Sequence, residues 1–166
     1  GKIESGDEKK LNALKGETMA VIALCQFDLT RCFGYPYTKD KGASLGAPLI
    51  DHLVGTYENP PRSTVAQAYD FIIETLEEAV TLMSEEKNNG RMNKYAARAL
   101  LARIYLYHDD NRKAFDLADQ LIKDADTSGS YALYPHEKYV AAWSVEAKFG
   151  SESFFEIANS VDDTPG

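Results

Sequence analysis

Two cysteines and one tryptophan stand in 166 residues. Two cysteines are too few for a small scaffold stapled by disulfides. Cys25 and Cys32 are seven positions apart. On one helix their α-carbons would lie about 10.5 Å apart, beyond the ~7 Å a disulfide tolerates. The expectation is two free, largely buried thiols that do not pair. Long hydrophobic runs are also missing. The strongest, residues 19–25, ends at Gln26, whereas spanning a bilayer takes about 20 apolar residues. Residues 1–7 carry no apolar signal region. They and residues 162–166 read as cut edges, so the chain is expected to be a piece of something larger. Positive charge is in deficit. There are 18 Lys and Arg against 26 Asp and Glu, a net charge of −8 and a pI near 4.9. That balance argues against nucleic acid or an anionic membrane surface as a direct partner.

The sequence is equally short of reactive constellations. His52, His108 and His136 are isolated, with no i, i+4 histidine pair and no Cys/His cluster of metal-ligand spacing. Residues 42–46 lack the lysine and spacing of a phosphate loop. No G-x-S-x-G elbow occurs. Glu77/Glu78 and Asp109/Asp110 are adjacent carboxylates of the kind that solvent normally covers. Asp124, Asp126, Ser128 and Gly129 begin like a calcium loop. Pro135 stands at the twelfth position, where a bidentate glutamate is needed, so this stretch is taken as the turn after a helix. No catalytic residue, metal site or cofactor is assigned, and a helical enzyme is unsupported.

What is present is helix. Hydrophobic residues make up 44% of the chain and aromatics 11%, enough for a core. A first helix is predicted over 7–33, with Ser5 and Glu8 at capping-box spacing. Leu11, Leu14, Thr18, Val21, Cys25 and Leu29 fall along it at steps of three and four, and Gly34 stops it. Residues 34–63 hold four glycines and four prolines and read as a long ordered excursion. Thr64 and Gln67 form a capping box for a second helix over 65–85, whose stripe Val65, Tyr69, Ile72, Leu76, Ala79 and Met83 should pack internally. After a turn at Asn88-Asn89-Gly90, a third helix runs over 93–108, rich in Ala96, Ala97, Ala99 and Ala102. Asp109-Asp110-Asn111 turns the chain into a fourth helix over 112–124, with Ala114, Leu117, Ala118 and Leu121 facing inward. A short helix over 136–144 and an extended segment over 152–158 complete the reading.

The third and fourth helices suggest a repeat. Leu101-Ala102, Tyr105, Ala114 and Ala118 occupy the small and large positions of a tetratricopeptide unit over about 95–128. Small residues let antiparallel helices nest, and Tyr105 fills the space beside Ala114. Arg98 stands where the usual tryptophan would be. The first two helices suggest a second unit interrupted by the 34–63 excursion.

Several ordered pieces carry a family resemblance. They are Phe27, Arg31-Cys32-Phe33-Gly34-Tyr35-Pro36-Tyr37, Gly46-Ala47-Pro48-Leu49, Arg62-Ser63-Thr64-Val65, Gly90-Arg91-Met92-Asn93, the run from Leu100 to Tyr107, and Glu152-Ser153-Phe154-Phe155. In order and spacing the chain resembles the SusD/RagB family of Bacteroidetes outer-membrane nutrient-binding lipoproteins, from about residue 8 to 158. The resemblance implies an all-α fold of tetratricopeptide-like helix pairs with little strand. Residues 1–166 would be one helical-repeat region of a larger SusD-like protein. It implies non-catalytic binding of a nutrient glycan or oligopeptide at the cell surface and delivery to a SusC-like TonB-dependent transporter. Membrane association would come through a lipid anchor that lies outside this chain. The family's helix pairs are the side associated with the transporter. A generic tetratricopeptide adaptor for proteins or peptides is the alternative. The long 34–63 insertion speaks against it.

No family binding residue maps onto this span, so ligand candidates come from the residues alone. Phe33, Tyr35, Tyr37 and Tyr57 lie in or beside the excursion, and Tyr131, Tyr134, Tyr139 and Trp143 follow the fourth helix. Aromatic faces stack on sugar rings, yet aromatics more often pin loops to a scaffold. Tyr35, Tyr37 and Trp143 are the candidates for ligand contact.

Overall fold

A computed structural model describes residues 7–144 and 148–157. Helix α1 spans Glu8–Phe33. Its N-cap is Asp7, whose carboxylate accepts from Lys9 N at 3.1 Å. The expected cap, Ser5, lies outside the described residues. Gly34 N–H closes the helix on Thr30 O at 2.9 Å. The excursion then forms strands β1, Leu45–Pro48, and β2, Arg62–Thr64, which pair antiparallel with an irregularity between the two paired ends. Helices α2, Val65–Leu82, α3, Lys94–Tyr107, and α4, Asn111–Ser128, follow. Beyond them are one helical turn, α5, His136–Tyr139, and a 3₁₀ turn over Ala141–Trp143. The fold is all-α and tetratricopeptide-like, with a two-stranded hairpin as its sheet among the described residues.

Two antiparallel helical hairpins carry the architecture. Gly16 of α1 meets Ala79, Leu82 and Met83 at the far end of α2, while Gly34 meets Val65 at its start. The α3–α4 hairpin is closed by Asp110 N–H donating to Tyr105 O at 2.9 Å. An ion pair from Arg98 to Asp124 crosses it at 2.7 Å. One core joins the pairs: Phe27, Ile72, Leu76, Ile104 and Tyr105 are buried together.

The starts of α2 and α4 follow the caps read from sequence, whereas α1 is capped by Asp7 and not by the expected Ser5. Thr64 and Gln67 form the full reciprocal box on α2. Asp110 accepts from Lys113 N at 3.2 Å. The α2 stripe is buried at every position from Val65 to Met83.

Several expectations are corrected. The stripe Leu11, Leu14, Val21 and Leu29 faces outward, 40–50% exposed. The buried face of α1 is instead Gly16, Ala20, Ala23, Gln26, Phe27 and Thr30. Small residues win that face because the two backbones approach closely: a Cβ on Gly16 would stand 2.9 Å from Ala79 O. Cys25 and Cys32 are free, as expected, but both are exposed rather than buried, because they belong to the outward stripe. Helix α4 continues four residues beyond 124 and ends at Gly129, whose φ of 67° makes a left-handed cap. Asp124, Asp126 and Ser128 are thus helical and form no loop. Residues 152–157 join no strand, and residue 158 lies outside the described set.

Candidate functional site

The excursion is held by backbone logic. The first amides of a helix lack intrahelical partners. Here the incoming loop supplies them: Val65 N–H donates to Ser44 O and Ala66 N–H to Gly42 O, each at 2.9 Å. Arg62 stitches the hairpin to α1, donating to Gly46 O at 2.7 Å, Leu45 O at 3.0 Å and Phe33 O at 3.3 Å. Gln26, buried on α1, donates to Pro48 O at 3.1 Å. Sequence reading singled out neither residue's role. Their only signal is a polar side chain among residues that must approach one another.

Tyr37 lies within this framework. Its ring packs 4.2 Å from His108 and 5.6 Å from Tyr69 by centroid, and it is half-buried. It pins the excursion to the ends of α2 and α3. Burial pushes the Tyr69 phenol up to about 12. Tyr35 is 57% exposed, and the ammonium of Lys39 sits 3.0 Å from its ring centroid. One ring face is therefore occupied by a cation.

The third candidate is placed differently. Trp143 is 76% exposed and meets Tyr139 edge-on at 6.1 Å. The segment bearing them is anchored at the opposite end of α3. Tyr131 packs 5.2 Å from Tyr95 and 4.8 Å from Phe154. Ala132 N–H donates to Ser151 O at 3.1 Å, and Lys87 Nζ donates to Gly150 O at 2.8 Å. Tyr95, in the first turn of α3, and His108, the residue that caps its C-terminus, are 13 positions apart, about 20 Å at helical rise. The structure thus places Tyr35 and Tyr37 at one end of the helix array and the anchors of the Trp143 segment at the other. It does not bring the three together.

Between β1 and β2, residues 49–61 form a surface loop with its own clasp. His52 Nδ1 is 2.6 Å from Asp51 Oδ1, and its Nε2 is 2.7 Å from Glu58 Oε1. Glu58 also accepts from Gly55 N–H at 3.1 Å. The Asp51 and then the Glu58 hydrogen bonds raise the imidazole pKa above its ordinary value. The flanking Leu53 and Tyr57 are almost wholly exposed, at 96% and 95%. Among the described residues no three His, Cys, Asp or Glu side chains gather as a metal site.

A family model described as SusD-like, starch-binding associating with outer membrane, matches residues 2–106. The chain belongs to the SusD-like family. A SusD superfamily protein from Bacteroides thetaiotaomicron VPI-5482 is 43% identical, with a TM-score of 0.87 over 95% of this chain and 33% of its own. A putative sugar binding protein from Bacteroides vulgatus ATCC 8482 is 42% identical, with a TM-score of 0.89 over 98% of this chain and 37% of its own. A SusD-like carbohydrate binding protein from the same organism is 25% identical, with a TM-score of 0.76 over 91% of this chain and 31% of its own. This SusD-like chain spans about a third of the length of those structures. No curated protein matches it.

Proposed function

We propose that this SusD-like chain is the helical scaffold of a cell-surface protein that binds a nutrient glycan without altering it and passes it to a TonB-dependent outer-membrane transporter. The membrane link is a lipid anchor carried outside these residues. Family membership supports the glycan class, and the names of two similar structures, a putative sugar binding protein and a carbohydrate binding protein, agree with it. The observation that carries the reading on this chain is the Trp143–Tyr139 pair. An indole three-quarters exposed and braced by a second ring is costly to leave in water. It offers a flat face on which the C–H side of a pyranose can stack. Tyr35 offers a smaller second platform. The 34–63 excursion splits the first helix pair and supports this reading over a continuous superhelical adaptor.

Calorimetry on the complete gene product with oligosaccharides selected from a glycan array tests the proposal. We expect saturable binding, recovery of the sugar at unchanged mass, and at least tenfold weaker binding in Trp143→Ala with an unchanged far-UV spectrum. Absence of any glycan ligand, together with no transporter in mild-detergent pull-downs, would overturn it.

A further inference from the structure

Helix α1 is apolar on two opposite faces, and the fold described above covers one. Gly16, Ala20, Ala23 and Phe27 are buried against α2. At 100° per residue, Leu14, Val21, Cys25, Leu29 and Cys32 share a stripe about 80° wide on the far side. Leu14, Val21 and Leu29 are 41–50% exposed, and both cysteines are exposed. No charged residue interrupts the stripe from Leu11 to Cys32. Its one hydroxyl, on Thr18, donates to Leu14 O at 2.9 Å and so has a partner within the helix. At its C-terminal end the stripe opens into an apolar groove of about 560 Å³ lined by Leu29, Phe33, Ala47, Pro48 and Ile50. The charged side chain at that groove, Arg62, is engaged with three carbonyls.

The outer face of α4, the last long helix, is patterned differently. On α4 the exposed Phe115 and Ile122 stand among i, i+4 ion pairs, Arg112 with Asp116 at 2.8 Å and Lys123 with Asp119 at 2.6 Å. A helix that is apolar on opposite sides belongs in an interior. A continuous stripe of this length, running into a groove, exceeds the scattered apolar residues of an ordinary surface. The solved structures that this chain matches carry about three times its length. We infer that the outer stripe of α1 and the adjoining groove are the seat of the remainder of the longer polypeptide, an intramolecular interface, and not an open docking surface. A second copy is the weaker occupant, since each chain carries a net charge of −8.

Cys25 and Cys32 are probes already in place on that stripe. Native labelling of the complete gene product with a small maleimide, sites read by peptide mass, reports their cover. Expected are rates at least tenfold below those in guanidinium for both thiols, in a protein that light scattering shows to be monomeric. Val21→Lys should also lower the midpoint of thermal unfolding by several degrees. Labelling at the denatured rate would overturn the inference. Protection that appears only in a dimer would assign the stripe to a second copy. Protection that appears only with a co-purified protein would assign it to a partner. Either result would also overturn the inference. The outcome does not depend on which ligand the protein binds.

Discussion

Asn93 donates its side-chain amide to the Tyr131 hydroxyl at 2.7 Å, and its carbonyl oxygen accepts from Ala96 N–H at 3.0 Å. One buried amide therefore caps α3 and fixes the chain that returns after α4. It also reaches Glu86 O at 3.3 Å, which ties in the α2–α3 connection. Asn93→Ala removes an N-cap and leaves the Tyr131 hydroxyl without its partner. The expected loss is about 2–3 kcal/mol, read from urea unfolding. Tyr131→Phe keeps the cap and should cost about 1 kcal/mol. Equal losses from the two variants would contradict the double role.

Gly42 is the tightest point of the excursion. Its φ is +75°, and an added Cβ would stand 2.6 Å from Ala66 N and 2.8 Å from the Tyr37 ring. Its carbonyl meanwhile accepts the Ala66 amide of α2. Gly42→Ala is expected to cost about 2–3 kcal/mol through backbone strain and overpacking. The Tyr37–His108 contact should loosen with it, visible as changed ring shifts in NMR spectra. A neutral substitution would show that the loop can shift without disturbing α2.

Helix placement was legible in the sequence wherever a cap and a stripe agreed. Thr64, Gln67 and the Val65–Met83 stripe located α2 and its inward face together. Helix α1 shows where that reasoning fails. Counting large apolar residues selects Leu11, Leu14, Val21 and Leu29, yet close backbone approach to α2 selects Gly16, Ala20 and Ala23. A periodicity argument cannot tell a buried stripe from a second apolar face when both share one helix. The candidate site was legible only as residue types. Tyr35, Tyr37 and Trp143 differ in exposure because of contacts with Lys39, His108, Tyr69 and Tyr139. Only Tyr139 of these lies within the same short segment as Trp143, and neither Gln26 nor Arg62 carries a pattern that marks a hairpin anchor.

The clasp on the 49–61 loop should depend on pH. His52 faces a carboxylate from each ring nitrogen, and only the imidazolium can donate to both. Its pKa is raised by Asp51 first and then Glu58. The contribution is therefore complete below the ordinary histidine value and is lost as pH rises through the raised one. Asp51 and Glu58 are shifted the other way. The His52 hydrogen bond dominates for Asp51, and the Gly55 amide for Glu58. Their contribution is present above the ordinary carboxylate range and is lost as pH falls through their lowered values. The clasp is thus tightest in mildly acid solution, between those two limits. The His52 ring shifts should titrate above an ordinary histidine, and Glu58→Gln should bring the midpoint down. A midpoint that Glu58→Gln leaves unmoved would remove Glu58 from the clasp.

Tyr105 offers the sharpest test of how the two helix pairs are joined. It is 5% exposed within the core that also holds Ala114, and its hydroxyl donates to the Glu77 carboxylate of α2. Burial first, and then Glu77, pushes its phenol pKa well above the ordinary value. If nesting of a large ring against small neighbours is the main contribution, Tyr105→Phe should cost no more than about 1.5–3 kcal/mol, the net worth of a hydrogen bond to a charged group. Tyr105→Ala should cost about 3–5 kcal/mol, the transfer and cavity terms together. Ala114→Leu alone should overpack the wild-type core by about 1–3 kcal/mol. In the Tyr105→Ala background the same leucine should be neutral or stabilising, because it occupies the vacated volume. Urea midpoints for the four proteins at a common slope measure that coupling. Strict additivity of the two substitutions would show that residues 105 and 114 do not share one space.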